Sequence, residues 1–265
     1  MKIITVFAFA AILFACKTDK NKKEAITEDM PLVGVDVKSE YPEIVSKVFD
    51  AHGGLATWKS YKTLSFKIQK ESTSETHTIA LKSRKETISA TDFSTGFDGS
   101  KIWLLDENNT FKGDAVFYHN LMFYFYAMPF VFGDDGINYE DTSPLEFEGK
   151  TYPGIRVSYN AGVGNSPKDE YFLHYNPETF QMQWLGYTVT YRSGEKSDNV
   201  KWIQYNDWMD VSGVLLPKSI TWYTSEEKKL TEPKSTVIFE NVVLSLKEKP
   251  VGFYDKPKKA DFIEQ

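Results

Sequence analysis

One cysteine stands among 265 residues, so no disulfide can form within the chain. A basic excess is also missing. The 31 Lys and Arg face 37 Asp and Glu, a formal net charge of −6. Nucleic-acid binding needs basic groups that neutralise phosphates, so nucleic acid is not an expected partner. The four histidines, His52, His77, His119 and His174, show no HxxxH or HExxH spacing. No linear metal motif is present, and neither a metal nor a cofactor is expected. His52, ahead of two glycines, reads as a helix-end residue bonding a carbonyl. His119 reads as a hydrogen-bonded residue in aromatic surroundings. No GxSxG elbow marks a hydrolase. Gly162-Val163-Gly164 lacks the following helix signal that a nucleotide loop needs. Asp134, Asp135, Asn138, Glu140 and Asp141 lack the ligand spacing of an EF-hand and read as a solvated acidic loop. Glu146, Glu148, Asp169 and Glu170 are unspecific as glycosidase carboxylates, because the separation that matters is spatial. No catalytic residue is assigned, and the expected class is not an enzyme. No apolar run reaches the roughly 20 residues a helix needs to span a bilayer.

What is present begins at the N-terminus. Lys2 is followed by an apolar run from Ile3 to Phe14, broken only by Thr5, and then by small Ala15. Residues 1–15 read as a signal peptide. Leu13-Phe14-Ala15-Cys16 resembles the lipobox of bacterial lipoproteins, which implies cleavage before Cys16 and lipidation of that residue. Several acyl chains anchor stably, at about 0.8 kcal/mol per buried CH₂. Position 17 is Lys, not the Asp that resembles an inner-membrane retention signal. The expected address is therefore the bacterial outer membrane, on its periplasmic or its exterior side. Residues 16–40 are polar and read as a flexible tether.

Residues 41–265 read as a single β-rich domain. Ile44, Val45, Val48 and Phe49 sit at helical spacing before Gly53-Gly54. A short helix carrying Trp58 follows. From Leu64 the period changes to two, with Leu64, Phe66 and Ile68 alternating with polar residues. Strands then follow at 76–83, 85–90, 102–105, 144–148, 154–160, 170–175, 181–192, 199–208, 214–223 and 235–246. Phe97-Asp98-Gly99-Ser100 reads as a hairpin turn. The tail from Lys247 reads as irregular. The short turns imply about ten antiparallel strands in a meander, curved into a barrel, half-barrel or large single sheet.

The unusual stretch is Ala115 to Phe132, with eight aromatic residues in eighteen positions and no charged side chain. Its spacing predicts a helix over about 114–127, with Asp114 as N-cap and an apolar elbow after Pro129. It packs as a core helix, or lines and lids an apolar cavity.

HGGLATWK (52–59), FDGSKIW (97–103) and the helix from 114, in this order within an exported chain, resemble the LolA/LolB-like fold. They also resemble an uncharacterised group of lipoproteins of the Bacteroidota, over most of residues 41–260. The resemblance implies an unclosed β half-barrel whose apolar inside is covered by helices and holds a lipid or another hydrophobic ligand. Trp103, Phe117, Leu121 and Phe125 are the candidate lining residues. Two other readings stay open: an envelope protein that docks a protein or glycan through its aromatic helix, and a hydrolase whose residues meet only in the fold.

Overall fold

Pro42 fixes the entry to helix α1 (Glu43–Ala51), which buries Val45, Val48 and Phe49. The computed structural model describes residues 40–70, 73–160, 168–226 and 229–264. The expected signal peptide, Cys16, nearly all of the tether and Gly162-Val163-Gly164 lie outside the described residues. After α1 the chain reverses at Gly53 and Gly54, both at positive φ (+99° and +90°). A Cβ on Gly53 would lie 2.2 Å from the carbonyl oxygen of Gly213, so only glycine lets the two backbones approach. Helix α2 (Leu55–Ser60) follows and buries Trp58.

Among the described residues, thirteen strands make one antiparallel, curved and unclosed sheet. They are β1 (Thr63–Gln69), β2 (Ser74–Ala80), β3 (Glu86–Ser89), β4 (Ser94–Phe97), β5 (Ile102–Leu105), β6 (Ile137–Phe147), β7 (Lys150–Tyr159), β8 (Tyr171–Tyr175), β9 (Met182–Tyr187), β10 (Lys201–Val211), β11 (Val214–Glu226), β12 (Lys229–Ser245) and β13 (Asp261–Ile263). Their order is β13-β5-β4-β3-β2-β1-β12-β11-β10-β9-β8-β7-β6. The sequence implied about ten. Most of the difference lies in short pieces: β4 and β13 span four and three residues, too few to show a period. β6 begins at Ile137, so Asn138, Glu140 and Asp141 lie on a strand and not in a loop. β9 ends at Tyr187, earlier than the alternation suggested.

Register assigns the two faces. Leu64, Ile79, Glu86, Phe97 and Ile102 stand in one cross-strand row, and Phe66, His77, Ile88, Thr95 and Leu104 in the next on the same face. Ser65, Thr78, Thr87, Gly96, Trp103 and Phe262 form a row on the opposite face.

Topology dictates where the aromatic stretch must go. β5 lies next to one edge of the sheet and β6 is the opposite edge, so residues 106–136 have to traverse a face. A segment laid across an apolar sheet must be apolar itself, and this one is. It forms α3 (Ala115–Tyr118), α4 (Leu121–Tyr126) and a 3₁₀ turn (Phe130–Gly133) in place of the single helix expected over 114–127. The break is at Asn120, a non-glycine residue at φ +57°. The Asn120 N–H bonds the Glu86 carboxylate (2.8 Å) and its side-chain N–H₂ bonds the carbonyl of Arg84 (3.0 Å), so side-chain chemistry of β3 interrupts the helix.

Candidate functional site

The inner face and the crossing segment meet in one apolar layer. Phe123, Tyr126, Phe130 and Phe132 are fully buried, and Phe125 nearly so. Each large aromatic removes 150–250 Å² from water, at roughly 25 cal/mol per Å² of apolar area. Phe130 stacks on Trp58 at 4.9 Å and 6°. Tyr126 packs on Phe66 (4.6 Å) and Phe239 (4.2 Å). The Tyr205 hydroxyl donates to the carbonyl of Phe125 (2.8 Å), and that of Tyr139 to the carbonyl of Phe132. A small void of about 10 Å³ lies under α1, between Val45, Val48, Phe49, Phe132, Tyr139, Ile155, Val157 and Leu173. An acyl chain does not fit there unless the crossing segment or α1 moves.

The four lining candidates divide into two groups. Phe125 lies in the inner layer, its ring 5.0 Å from Tyr187 and 5.7 Å from Trp222. Leu121 is half-buried against the same core. Phe117 is half-buried, its ring 5.2 Å from that of Tyr191. Trp103 is on the other face. Its ring covers Gly96, where a Cβ would lie 2.5 Å from the indole, and its N–H donates to the carbonyl of Tyr254 (3.1 Å). The structure therefore brings Leu121 and Phe125 into one core, sets Phe117 at the start of the segment, and keeps Trp103 apart.

The polar groups of the inner layer that lack hydrogen-bond partners include the Tyr126 hydroxyl, His52 Nε2, the Trp208 indole N–H and His77 Nε2. A buried unpaired polar group costs about 1–3 kcal/mol and requires a reason. His52 Nδ1 donates to the carbonyl of Val48 (2.7 Å), the helix-end bond its position suggested. Burial lowers the His52 pKa to about 4, so its free Nε2 is an acceptor.

Sequence reasoning passed over a polar cluster on the same face. Glu75 and His77 of β2 point inward with Ile79, and Glu86 of β3 stands beside Ile79. His77 Nε2 is 3.5 Å from Glu75 Oε2, and Nδ1 is 3.5 Å from Glu86 Oε1. All three side chains are only 1–2% exposed. Glu75 also accepts from Lys70 Nζ and from the Tyr118 hydroxyl. Glu86 accepts from His119 Nδ1 (3.3 Å) and the Asn120 N–H. Asn120 Nδ2 donates to His119 Nε2 (2.8 Å), which fixes His119 as the Nδ1–H tautomer. Burial alone would raise both carboxyls. Bonds from His77, Lys70 and Tyr118 outweigh it at Glu75, and bonds from His119 and His77 at Glu86, so each falls to about 2. Burial would lower His77, but its bonds to Glu75 and Glu86 and their charges hold it above the ordinary histidine value. The signal was available in the alternation Glu75, His77, Ile79, Leu81, whose odd positions share one face. Acid-base groups thus meet here, but sealed from solvent. Among the described residues no group of three or more His, Cys, Asp or Glu is placed to hold a metal ion.

No curated protein matches this sequence. Solved structures of similar chain course include a LolA superfamily protein of Nitrosomonas europaea (9% identity, TM-score 0.48, 80% of this chain and 96% of that one). A DUF1329 family protein of Desulfovibrio piger gives 10% identity and TM-score 0.48, over 80% of this chain and 98% of that one. A domain described as an outer membrane lipoprotein-sorting protein of Vibrio parahaemolyticus gives 7% and 0.44, over 80% and 95%. At such identities and scores neither a ligand nor a residue's role transfers. The sequence profile of one family matches residues 2–238, and the chain belongs to that family, DUF6503, a family of unknown function.

Proposed function

We propose that this protein is a lipoprotein of the bacterial cell envelope, anchored through Cys16 to the outer membrane, that binds a lipid or another hydrophobic ligand without covalent chemistry. The ligand lies between the inner face of the sheet and the crossing segment 115–133. One observation carries the reading: an apolar segment is laid across an unclosed sheet over buried polar groups, the Tyr126 hydroxyl, His52 Nε2 and the Trp208 N–H, that have no partner in the closed form. A ligand with an apolar body and a polar end suits such a layer, since apolar burial supplies affinity and a few polar groups fix orientation. The aromatic residues of the segment are turned inward, with Tyr124 the most exposed of those in α4 at 39%, which argues against docking through an aromatic helix. The acid-base cluster is closed to solvent, which argues against its use in hydrolysis.

Residues 39–265 form one compact unit and are the piece to test. Native mass spectrometry of that piece, purified from cells, should show lipid-mass adducts that vanish on denaturation. A clean apo mass, with no uptake of added phospholipid or fatty acid, would sink the binding reading. For the full chain, Cys16→Ser should abolish incorporation of labelled fatty acid; undiminished labelling would refute the anchor.

A further inference from the structure

The cluster on β2 and β3 sets one buried histidine between two carboxylates, an arrangement that favours its protonated form. Both ring nitrogens of His77 face carboxylate oxygens, Glu75 Oε2 on one side and Glu86 Oε1 on the other, each at 3.5 Å. A neutral imidazole has one N–H and one lone pair. Nδ1 is hydrogen-bonded to Glu86, while Nε2 lies beside Glu75 without an aligned hydrogen bond, so loss of either proton leaves a nitrogen lone pair close to a buried negative oxygen. The ring cannot escape by turning, because it stacks on Phe66 at 4.8 Å and 13°. The other charged or titratable groups around it are few. Lys70 follows β1 and holds Glu75; Tyr118 of α3 donates to Glu75, with its ring 6.2 Å from that of His77; His119 donates to Glu86. Arg84, in the β2–β3 turn, is engaged with Asp134 and lies over the ring of Phe123. With His77 protonated, Glu75 faces Lys70 and the imidazolium, and Glu86 faces the imidazolium. Without that proton, Glu75 keeps Lys70, and Glu86 keeps the hydrogen bonds from His119 and Asn120.

Between them the two carboxylates grip three consecutive residues. Glu75 holds the Tyr118 hydroxyl, and Glu86 holds His119 Nδ1 and the Asn120 N–H. Residues 118–120 run from the end of α3 through the break before α4, where Asn120 takes its left-handed conformation. Relief of the repulsion requires a carboxylate to move, and either one takes the segment with it.

We propose that the proton on His77 is a latch that holds residues 118–126 closed over the apolar interior, and that its loss releases them. This names the control of the binding layer and rests on that reading for its purpose, although the latch itself is tested without ligand. Opening coupled to one proton rises tenfold per pH unit between the histidine value of the open form, about 6.5, and the higher value of the closed form. The latch is therefore fully set below about pH 6.5 and is lost as pH rises through the closed-form value.

The experiment is hydrogen exchange on ligand-free 39–265, with protection factors corrected for the intrinsic pH dependence of exchange, from about pH 6 to about pH 9. Protection of 118–126 should fall about tenfold per pH unit above the ordinary histidine value and then level off, while the β10–β11 hairpin stays protected. His77→Gln should show low protection at 118–126 that does not change with pH. Should that variant fail to fold, ¹⁵N NMR of the wild-type imidazole still decides, since His77 should carry both ring protons at neutral pH. A flat wild-type profile, simultaneous loss in the hairpin, or a singly protonated His77 would overturn the latch. Absence of lipid adducts alongside the expected slope would sink the ligand reading and leave the latch standing.

Discussion

Phe132→Ala tests whether the inner layer is a rigid frame or a yielding one. Phe132 is fully buried, its ring 5.9 Å from that of Tyr171, and it borders the small void under α1. Truncating a buried Phe costs about 3–5 kcal/mol, the transfer loss plus the cavity left behind. Which end of that range applies depends on collapse. Ile155, Val157 and Leu173 belong to hydrogen-bonded strands β7 and β8 and cannot follow the lost ring. Only α1, through Val45, Val48 and Phe49, can slide inward. We expect the upper half of the range, because the new space merges with an existing void that α1 already fails to fill. For a domain of this size each kcal/mol shifts Tm by roughly 2–4 °C, so the melting point should fall by about 8–20 °C. Phe132→Leu should lose about half as much, since it keeps part of the volume. The assay is thermal and urea unfolding of 39–265, with and without an apolar solute of benzene size. Dry apolar cavities accept such solutes, and one at 100 times its Kd returns about 2.7 kcal/mol. A loss below about 1 kcal/mol, or no rescue by any apolar solute, would refute the rigid-frame reasoning.

Three other outcomes are expected. Asp114→Ala removes the cap that accepts from Val116 N–H (2.9 Å) and Phe117 N–H (3.1 Å), and should cost about 0.5–2 kcal/mol by urea unfolding, with Asp114→Asn recovering most of it. Gly53→Ala puts a side chain at φ +99° and 2.2 Å from the Gly213 oxygen, so a destabilisation beyond about 1–3 kcal/mol is expected; an unchanged urea midpoint would show that the two turns do not touch. The third concerns acid. Glu75 and Glu86 are held down to about 2 from an ordinary value of 4.5, so their contribution is complete above pH 4.5 and fades as pH falls toward 2. The urea midpoint should drop over that window in the wild type and less steeply in Glu86→Gln; parallel slopes would contradict the assigned ionisation.

The local rules legible in the sequence are the ones that need only near neighbours. Ile44, Val45, Val48 and Phe49 at helical spacing before Gly53-Gly54 placed α1, and the alternation from Leu64 placed β1, because each pattern reports a single face at its own period. The apolar character of Ala115 to Phe132 announced burial on most sides. What buries it was a matter of topology: β5 and β6 lie far apart in the sheet, so the segment had to cross. The break at Asn120 came from Glu86, 34 residues earlier in the chain, and no local pattern carries such a contact. Trp103 and Phe125 look alike in sequence, yet strand parity and the 250–260 tail put Trp103 on the opposite face. The cluster of Glu75, His77, Glu86 and His119 joins residues from two strands and the turn between two helices. Spacing along a chain reports faces and periods, whereas a buried ionic group is defined by distances in space, and those were set only when the sheet folded.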